Sequence, residues 1–349
     1  MIAGGKSAGT AAGLAAAVLF GLSAPVAKAL LPSSGPFMLA GLLYLGAGVG
    51  LSALGPLLPA GAEARLRRED RATLVGMIVA GGVVGPLLLL AGLARLSGSS
   101  ASLLLNLEAP LTIALAVLVF GEPISRRELA GSAAVLAGAL VLGGAAGGGS
   151  MPAVGALAVS GACLAWAVDN NLGQRLSLRD PVAVARVKSL VAGSFNVALA
   201  LLIGERFPAP VALAGILATG LAGYGVSIVL HLLAMRHLGA ARQAAYFATA
   251  PFVGAVAAVP ILGEGLSGAV AAAGALMLAG VAILVRARHG HLHSHEAVEH
   301  DHAHRHDVHH QGHPHEPEAG VHSHPHRHAP LTHDHPHQPD AHHRHRHGA

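Results

Sequence analysis

The sequence predicts an all-α integral membrane protein, with about ten transmembrane helices forming two inverted five-helix repeats and a disordered tail. Three observations carry this prediction. The chain of 349 residues is 53% hydrophobic and only 11% charged, with a mean hydropathy of +0.57; soluble globular chains carry about 25% charged residues. Apolar stretches of roughly the 20 residues that a spanning helix needs recur along it. The third observation is an internal duplication. Arg95-Leu96-Ser97-Gly98 is answered by Arg236-His237-Leu238-Gly239, and Ala109-Pro110 by Ala250-Pro251, both at an offset of 141 residues. After one inserted residue, Gly121-Glu122 is answered by Gly263-Glu264 and Gly138 by Gly280. So long a period excludes a solenoid of small repeats. It fits a duplicated half, the sequence mark of transporters built from internal repeats.

Taken in order, the expected spans are 9–31, 36–58, 72–93, 99–120, 127–147, 152–174, 182–203, 211–233, 240–262 and 267–286. The first follows Lys6 and contains a small-residue site at Leu22-Ser23-Ala24. Pro25 would follow a cut there and the apolar run continues to Leu31, so the segment reads as a retained helix and not a signal peptide. Small residues such as Gly46, Gly48, Gly50, Gly81, Gly82 and Gly85 allow close helix approach where no hydrophobic effect drives association. Pro25, Pro86, Pro110, Pro251 and Pro260 fall inside spans, and each leaves a carbonyl one turn earlier without its usual donor. Such a carbonyl marks either a simple kink or a backbone site lining a cavity. The halves divide as 1–147 and 148–288, with the tail at 289–349.

Orientation follows from Lys and Arg in the short loops. With the N-terminus inside, the cytoplasmic side holds Lys6, Arg65, Arg67, Arg68, Arg71, Arg126, Arg127, Arg175, Arg179, Arg236, Arg242, Arg286 and Arg288, against Arg95 and Arg206 outside. Five helices per half is an odd number, so the halves are inverted and a substrate site is expected near the midplane between them. The lone Cys163 excludes an internal disulfide framework and reads as a packing residue.

The tail holds 23 of the chain's 25 His, interleaved with Pro, Asp, Glu and Gly. No hydrophobic period survives there, which predicts disorder. His-x-His runs recur at His291/His293/His295, His302/His304/His306, His322/His324/His326/His328, His333/His335/His337 and His343/His345/His347. Imidazole suits Zn, Ni, Cu and Co. Without folded partners to fix the rings such a tract either holds metal loosely, at no single tetrahedral site, or is low-complexity drift.

Several motifs resemble the EamA-type transporters of the drug/metabolite transporter superfamily. They are GLSAPVAKALL at 21–31, SASLLLNLEAP at 100–110 with GEP at 121–123, and CLAWAVDNNLGQRLS at 163–177 followed by Asp180-Pro181. The resemblance covers roughly residues 8–286 and excludes the tail. It implies ten helices in two inverted repeats and secondary transport, usually outward, of small metabolites or toxic compounds. It carries over no catalytic residue.

Ionisable side chains within a span cost about 2.5–3.5 kcal/mol each and are functional candidates by default. Lys28, Glu108, Asp169 and Lys188 qualify. Asp169 near the end of helix six and Lys188 near the start of helix seven fall at similar depth, at about 1.5 Å rise per residue. They form either a structural ion pair or, with Asn170 and Asn171, part of a pathway. Glu108, two residues before Pro110, has no evident partner; a desolvated carboxyl there either carries a proton or stays protonated, bonded to a carbonyl that a proline frees, and its counterpart in the second half is Thr249. Trp166, Tyr224, Tyr246 and Phe247 are candidates for a cavity wall, with lipid or core packing the plainer reading. His231 and His237 read as surface histidines, and Glu122 and Glu264 as caps of helices or turns.

These residues predict a secondary transporter, not an enzyme, exporting a small metabolite or toxic organic compound in exchange for protons. A divalent-metal exporter that captures Ni, Co or Zn on its tail is the alternative. A membrane-anchored metal sensor would need neither ten spans nor internal acids, and no Ser–His pair at matched depth supports an intramembrane hydrolase. The expected partners are membrane lipid, a small-molecule substrate and divalent metal on the tail, with a homodimer left open. No cofactor is required, and Zn, Ni or Co would bind the tail only loosely. Nucleic acid is excluded, because no basic stripe with interleaved aromatics accompanies the pI near 9.7. The expected location is the cell membrane, multi-pass with both termini cytoplasmic, the inner membrane in a Gram-negative cell. Reporter domains fused after Gly148 should therefore lie outside and those fused after Arg288 inside. The opposite pattern would overturn the inverted arrangement.

Overall fold

The computed structural model describes residues 6–55, 64–120, 124–144, 152–176, 179–238, 243 and 246–286, together with the backbone of 289–295, 298–304, 322–328 and 331–337. Ten helical segments lie in the body among the described residues: α1 (Lys6–Leu30), α2 (Pro36–Leu54), α3 (71–93), α4 (98–120), α5 (Arg126–Gly144), α6 (Ala153–Leu176), α7 (Pro181–Leu202), α8 (210–238), α9 (Ala250–Leu262) and α10 (Gly268–Arg286). They fall on the ten expected spans. By length and composition α1, α2, α3, α6, α7, α8 and α10 can each cross a membrane, and α9 is a shorter apolar helix. A 3-10 turn at Leu105–Leu107 divides α4 into shorter pieces, and α5 opens with Arg126, Arg127 and Glu128. Side chains such as Leu118, Leu202 and Val211 are exposed, as expected of a surface that faces hydrocarbon.

Local chemistry sets the helix starts. Asp180 accepts from the amides of Val182 (2.9 Å) and Ala183 (3.2 Å) at the start of α7, with Pro181 in the first turn, where its missing N–H costs nothing. Ser125 and Glu128 form a reciprocal cap on α5, Ser125 N donating to Glu128 Oε2 at 2.8 Å and Glu128 N to Ser125 Oγ at 3.2 Å, as in a capping box. Ser97 accepts from Ser100 N at 3.1 Å ahead of α4. Gly263, at φ +66°, terminates α9 in the left-handed region, which glycine enters without a Cβ clash.

The duplication is visible in the backbone. A π-helical segment interrupts α3 at Ile78–Val84 and another interrupts α8 at Leu221–Val226, within two residues of the 141-residue offset. Packing repeats as well: α1 lies against α8 and α9, and α6 against α3 and α4. The equivalent helices α2 and α7 pack together, as do α5 and α10. Both like-with-like contacts depend on glycine. A Cβ on Gly193 would meet Leu45 N at 2.6 Å and Gly41 O at 2.9 Å, and one on Gly280 would meet Gly131 O at 2.8 Å. The main core runs from α2 (Leu39, Leu43, Tyr44) through α3 and α4 to Val159, Cys163 and Trp166 of α6.

In the tail the backbone forms four strands, β1 (His289–His295), β2 (Val298–His304), β3 (His322–His328) and β4 (Leu331–His337). They pair antiparallel as two separate ladders, β1 with β4 and β2 with β3. The His-x-His runs alternate with the period of a strand. The register sets His291 opposite His335, His293 opposite His333, His302 opposite His324 and His304 opposite His322. The other positions of these runs meet different partners. His326 faces His300 and His337 faces His289, histidines outside the runs singled out, while His295 faces Leu331 and His328 faces Val298. A two-stranded ribbon is marginal in water on its own.

Candidate functional site

A cavity of about 90 Å³ lies between the halves, where α1, α2, α3, α4, α6, α7 and α8 converge. Its wall contains Glu108 of α4, Asp169 and Asn170 of α6, Lys188 of α7 and His231 of α8. Five of the chain's eleven aromatic residues also line it: Phe20, Tyr44, Trp166, Tyr224 and Phe247. Phe20 packs edge-on to Trp166 at 5.9 Å and to Tyr224 at 6.0 Å, and lies 5.1 Å from Phe247. Tyr44 and Tyr224 are 5.2 Å apart.

The π segment of α3 positions much of this wall. Widening the turn leaves carbonyls without their helical donors, and three side chains supply replacements. Tyr44 Oη donates to Gly81 O at 2.6 Å, Trp166 Nε1 donates to the same oxygen at 3.1 Å, and Asn196 Nδ2 donates to Gly82 O at 3.1 Å. Gly81 also faces the Asp169 carboxylate so closely that a Cβ there would collide with it.

Asp169 and Lys188 meet as the sequence expects, Lys188 Nζ donating to Asp169 Oδ2 at 2.5 Å, with both residues buried. The second carboxylate oxygen, Asp169 Oδ1, is buried without a hydrogen-bond partner. Glu108 does have a partner, contrary to the sequence reading: Asn170 Nδ2 donates to its Oε1 at 2.5 Å. The fold supplies this contact by laying α4 across α6, which spacing along the chain does not reveal. Asn171 turns back on its own helix, donating to Ala167 O at 2.8 Å. Lys28 is not among the cavity's wall residues; it donates to Leu93 O at the carbonyl end of α3, where a cation is favoured by the helix dipole, and to Leu96 O just beyond it.

Of the aromatic candidates, Trp166, Tyr224 and Phe247 line the cavity and Tyr246 does not. His231 is the clearest correction. It is a half-buried wall residue, not a surface one, with its ring 4.6 Å from Phe247 and its Nδ1 3.0 Å from Gln243 Nε2. Phe20 and Tyr44 were not distinguishable in the sequence from ordinary core residues. Thr249, the counterpart of Glu108, bonds to Tyr246 O at 2.6 Å.

Beyond the cavity, two carboxylates of the second half cap helices of the first. Glu264 accepts from Gly98 N (2.6 Å), Ser99 N (2.9 Å) and Ser99 Oγ (3.1 Å) at the start of α4. Glu205, between α7 and α8, accepts from Met38 N (2.7 Å) and Phe37 N (3.4 Å) at the start of α2. The capping role read for Glu264 is present, and the helix it caps belongs to the other half. Glu122 lies outside the described residues, as do His306, His343, His345 and His347; the side chain of His237 is likewise undescribed.

The remaining tail histidines read as metal ligands are placed by their strand backbones alone. They are His291, His293 and His295 on β1, His302 and His304 on β2, His322, His324, His326 and His328 on β3, and His333, His335 and His337 on β4. Across the strands His326 shares its rung with His300. Among the described residues no three His, Cys, Asp or Glu side chains converge as a metal site.

A two-repeat helical body enclosing a partly polar cavity defines the class: a polytopic membrane transporter. The chain belongs to the EamA-like transporter family, whose pattern matches residues 7–144 and 153–286. An uncharacterized transporter of Methanothermobacter thermautotrophicus is 30% identical over 290 residues, 78% of this chain and 84% of that protein. A crystal structure at 22% identity covers 80% of this chain and 98% of its own with a TM-score of 0.62, which shows the same fold.

The ion pair makes a prediction. Asp169→Asn or Lys188→Met alone should cost about 3–5 kcal/mol of stability, since each strands a buried charge. The double substitution should recover most of that loss in thermal melting and in the yield of monodisperse protein. Additive losses would show that the two charges do not depend on each other.

Proposed function

We propose that the protein exports a small organic metabolite or toxic compound across the cell membrane in exchange for protons. The observation that carries this reading is Glu108, a carboxyl in the wall of a cavity between two repeats, held by the neutral amide of Asn170. An intramembrane acid of this kind can take up a proton on one side and release it on the other as the halves rock. The wall also reaches Gly173, near the end of α6, and Val184 and Ala185, near the start of α7. These positions adjoin the arginine-rich end of the body. With that end cytoplasmic, the cavity is presented to cytoplasmic solutes, which supports export.

Sealed vesicles carrying the protein and an imposed pH gradient should accumulate a member of a panel of small organic solutes. Glu108→Gln keeps the shape and removes the charge. It should be produced at the level of the unaltered protein and show no gradient-driven flux. Flux that keeps its full pH dependence in this variant would place coupling elsewhere.

The tail is proposed to hold Zn, Ni or Co loosely, as a local store beside the transport body. Protons compete with metal for imidazole, so affinity should fall as pH drops through about 6.5. Ending the chain after Arg288 should leave the helical body folded and organic flux intact. Metal flux that depends on Glu108 or Asp169 would replace the organic substrate with a metal ion.

A further inference from the structure

We propose that the tail binds Zn, Ni or Co at sites set by strand register, each formed by two neighbouring His rungs of an antiparallel ladder. This rests on the reading of the tail as a metal store and gives that store a geometry.

In β1 and β4 three rungs, spaced two residues apart, set His opposite His: His289 with His337, His291 with His335 and His293 with His333. β2 and β3 repeat the arrangement with His300 and His326, His302 and His324, and His304 and His322. The rungs between are of other kinds, such as Leu292 opposite Asp334 and Asp301 opposite Pro325. Successive strand positions alternate between faces. Each ladder therefore carries its three His rungs on one face and no histidine on the other.

Facing positions of an antiparallel pair lie about 4.5–5.5 Å apart at Cβ. Neighbouring rungs on one face are about 7 Å apart, two residues at about 3.4 Å each. Two such rungs bring four histidine positions within the compass of one four-coordinate ion, the number that structural Zn takes. A lone His-x-His run supplies only two positions and nothing to fix them; the facing strand supplies the rest. A set made wholly of histidines suits Zn, Ni and Co, whereas Mg and Ca take oxygen ligands.

The site and the pairing also depend on each other energetically. A two-stranded ribbon is marginal in water. An ion that binds only the paired strands adds its binding free energy to their pairing. Occupancy and pairing are then one event, and the order of the residues sets the affinity more than the number of histidines does.

The test uses the full chain in lipid nanodiscs, with Zn as the probe and a chelating dye as competitor. The comparison is a reordered tail of the same composition, combining Ser323→His with His324→Ser and Arg327→His with His328→Arg. In that β3 no two histidines stand two positions apart, so no register against β2 sets two His rungs side by side. The unaltered chain should hold about two Zn ions, one per ladder, at least about tenfold more tightly than its remaining sites. The reordered chain should lose at least one of them. Zn should also slow tryptic cleavage after Arg327 in the unaltered chain and leave cleavage at the displaced arginine of the reordered chain unchanged. The two chains share one transport body, so their yield and melting should match. Equal number and affinity of Zn ions in both chains, or equal protection of both by Zn, would overturn the inference and leave a loose store of interchangeable histidines standing. No Zn bound by either chain would sink the store reading itself, and the inference with it.

Discussion

The hydrogen bonds donated to Gly81 O and Gly82 O hold the centre of the molecule together. In hydrocarbon an unpaired backbone carbonyl costs several kcal/mol, and the π turn of α3 leaves such carbonyls in need of donors. Tyr44 of α2, Trp166 of α6 and Asn196 of α7 fill that need. Three helices, two of them from the second half, are thereby fixed to one turn of α3. The same turn brings Gly81 against Asp169, so the backbone irregularity, the interface between the halves and the buried ion pair form one arrangement.

The two halves share this architecture without sharing its chemistry. Both carry a π segment at corresponding positions, yet Glu108 in α4 corresponds to Thr249 ahead of α9. Asp169 and Lys188 both come from the second half. Duplication supplies the symmetric scaffold, and the polar groups then differ between halves. With Thr249 in place of a carboxyl, only one half supplies an acid at this position.

Much of the body was legible from the chain. Spans follow from apolar length, the 141-residue offset places the two π segments, and Asp169 and Lys188 lie at similar depth because a short turn joins their helices. What the chain hid are contacts set by helix crossing. Asn170 meets Glu108 across α4 and α6, and His231 faces Phe247; neither pair has a sequence spacing that announces it. Tyr44 and Phe20 look like any buried aromatic until α2 and α1 are placed around the cavity. Lys28 misled for a related reason. Its depth was readable, but its rotation toward the end of α3 was not. In the tail the alternation of His326 with its neighbours was readable, whereas its rung partner His300 depends on a register that no local spacing sets.

Glu205 and Glu264 both belong to the second half, and both grip the amide ends of helices in the first. α2 and α4 begin at the same end of the body, opposite the arginine-rich face. The two grips therefore act in parallel across one seam. A rigid swing of either half that parts one carboxylate from its helix must strain the other as well, so that end resists small excursions and gives way cooperatively, like a clasp with two teeth.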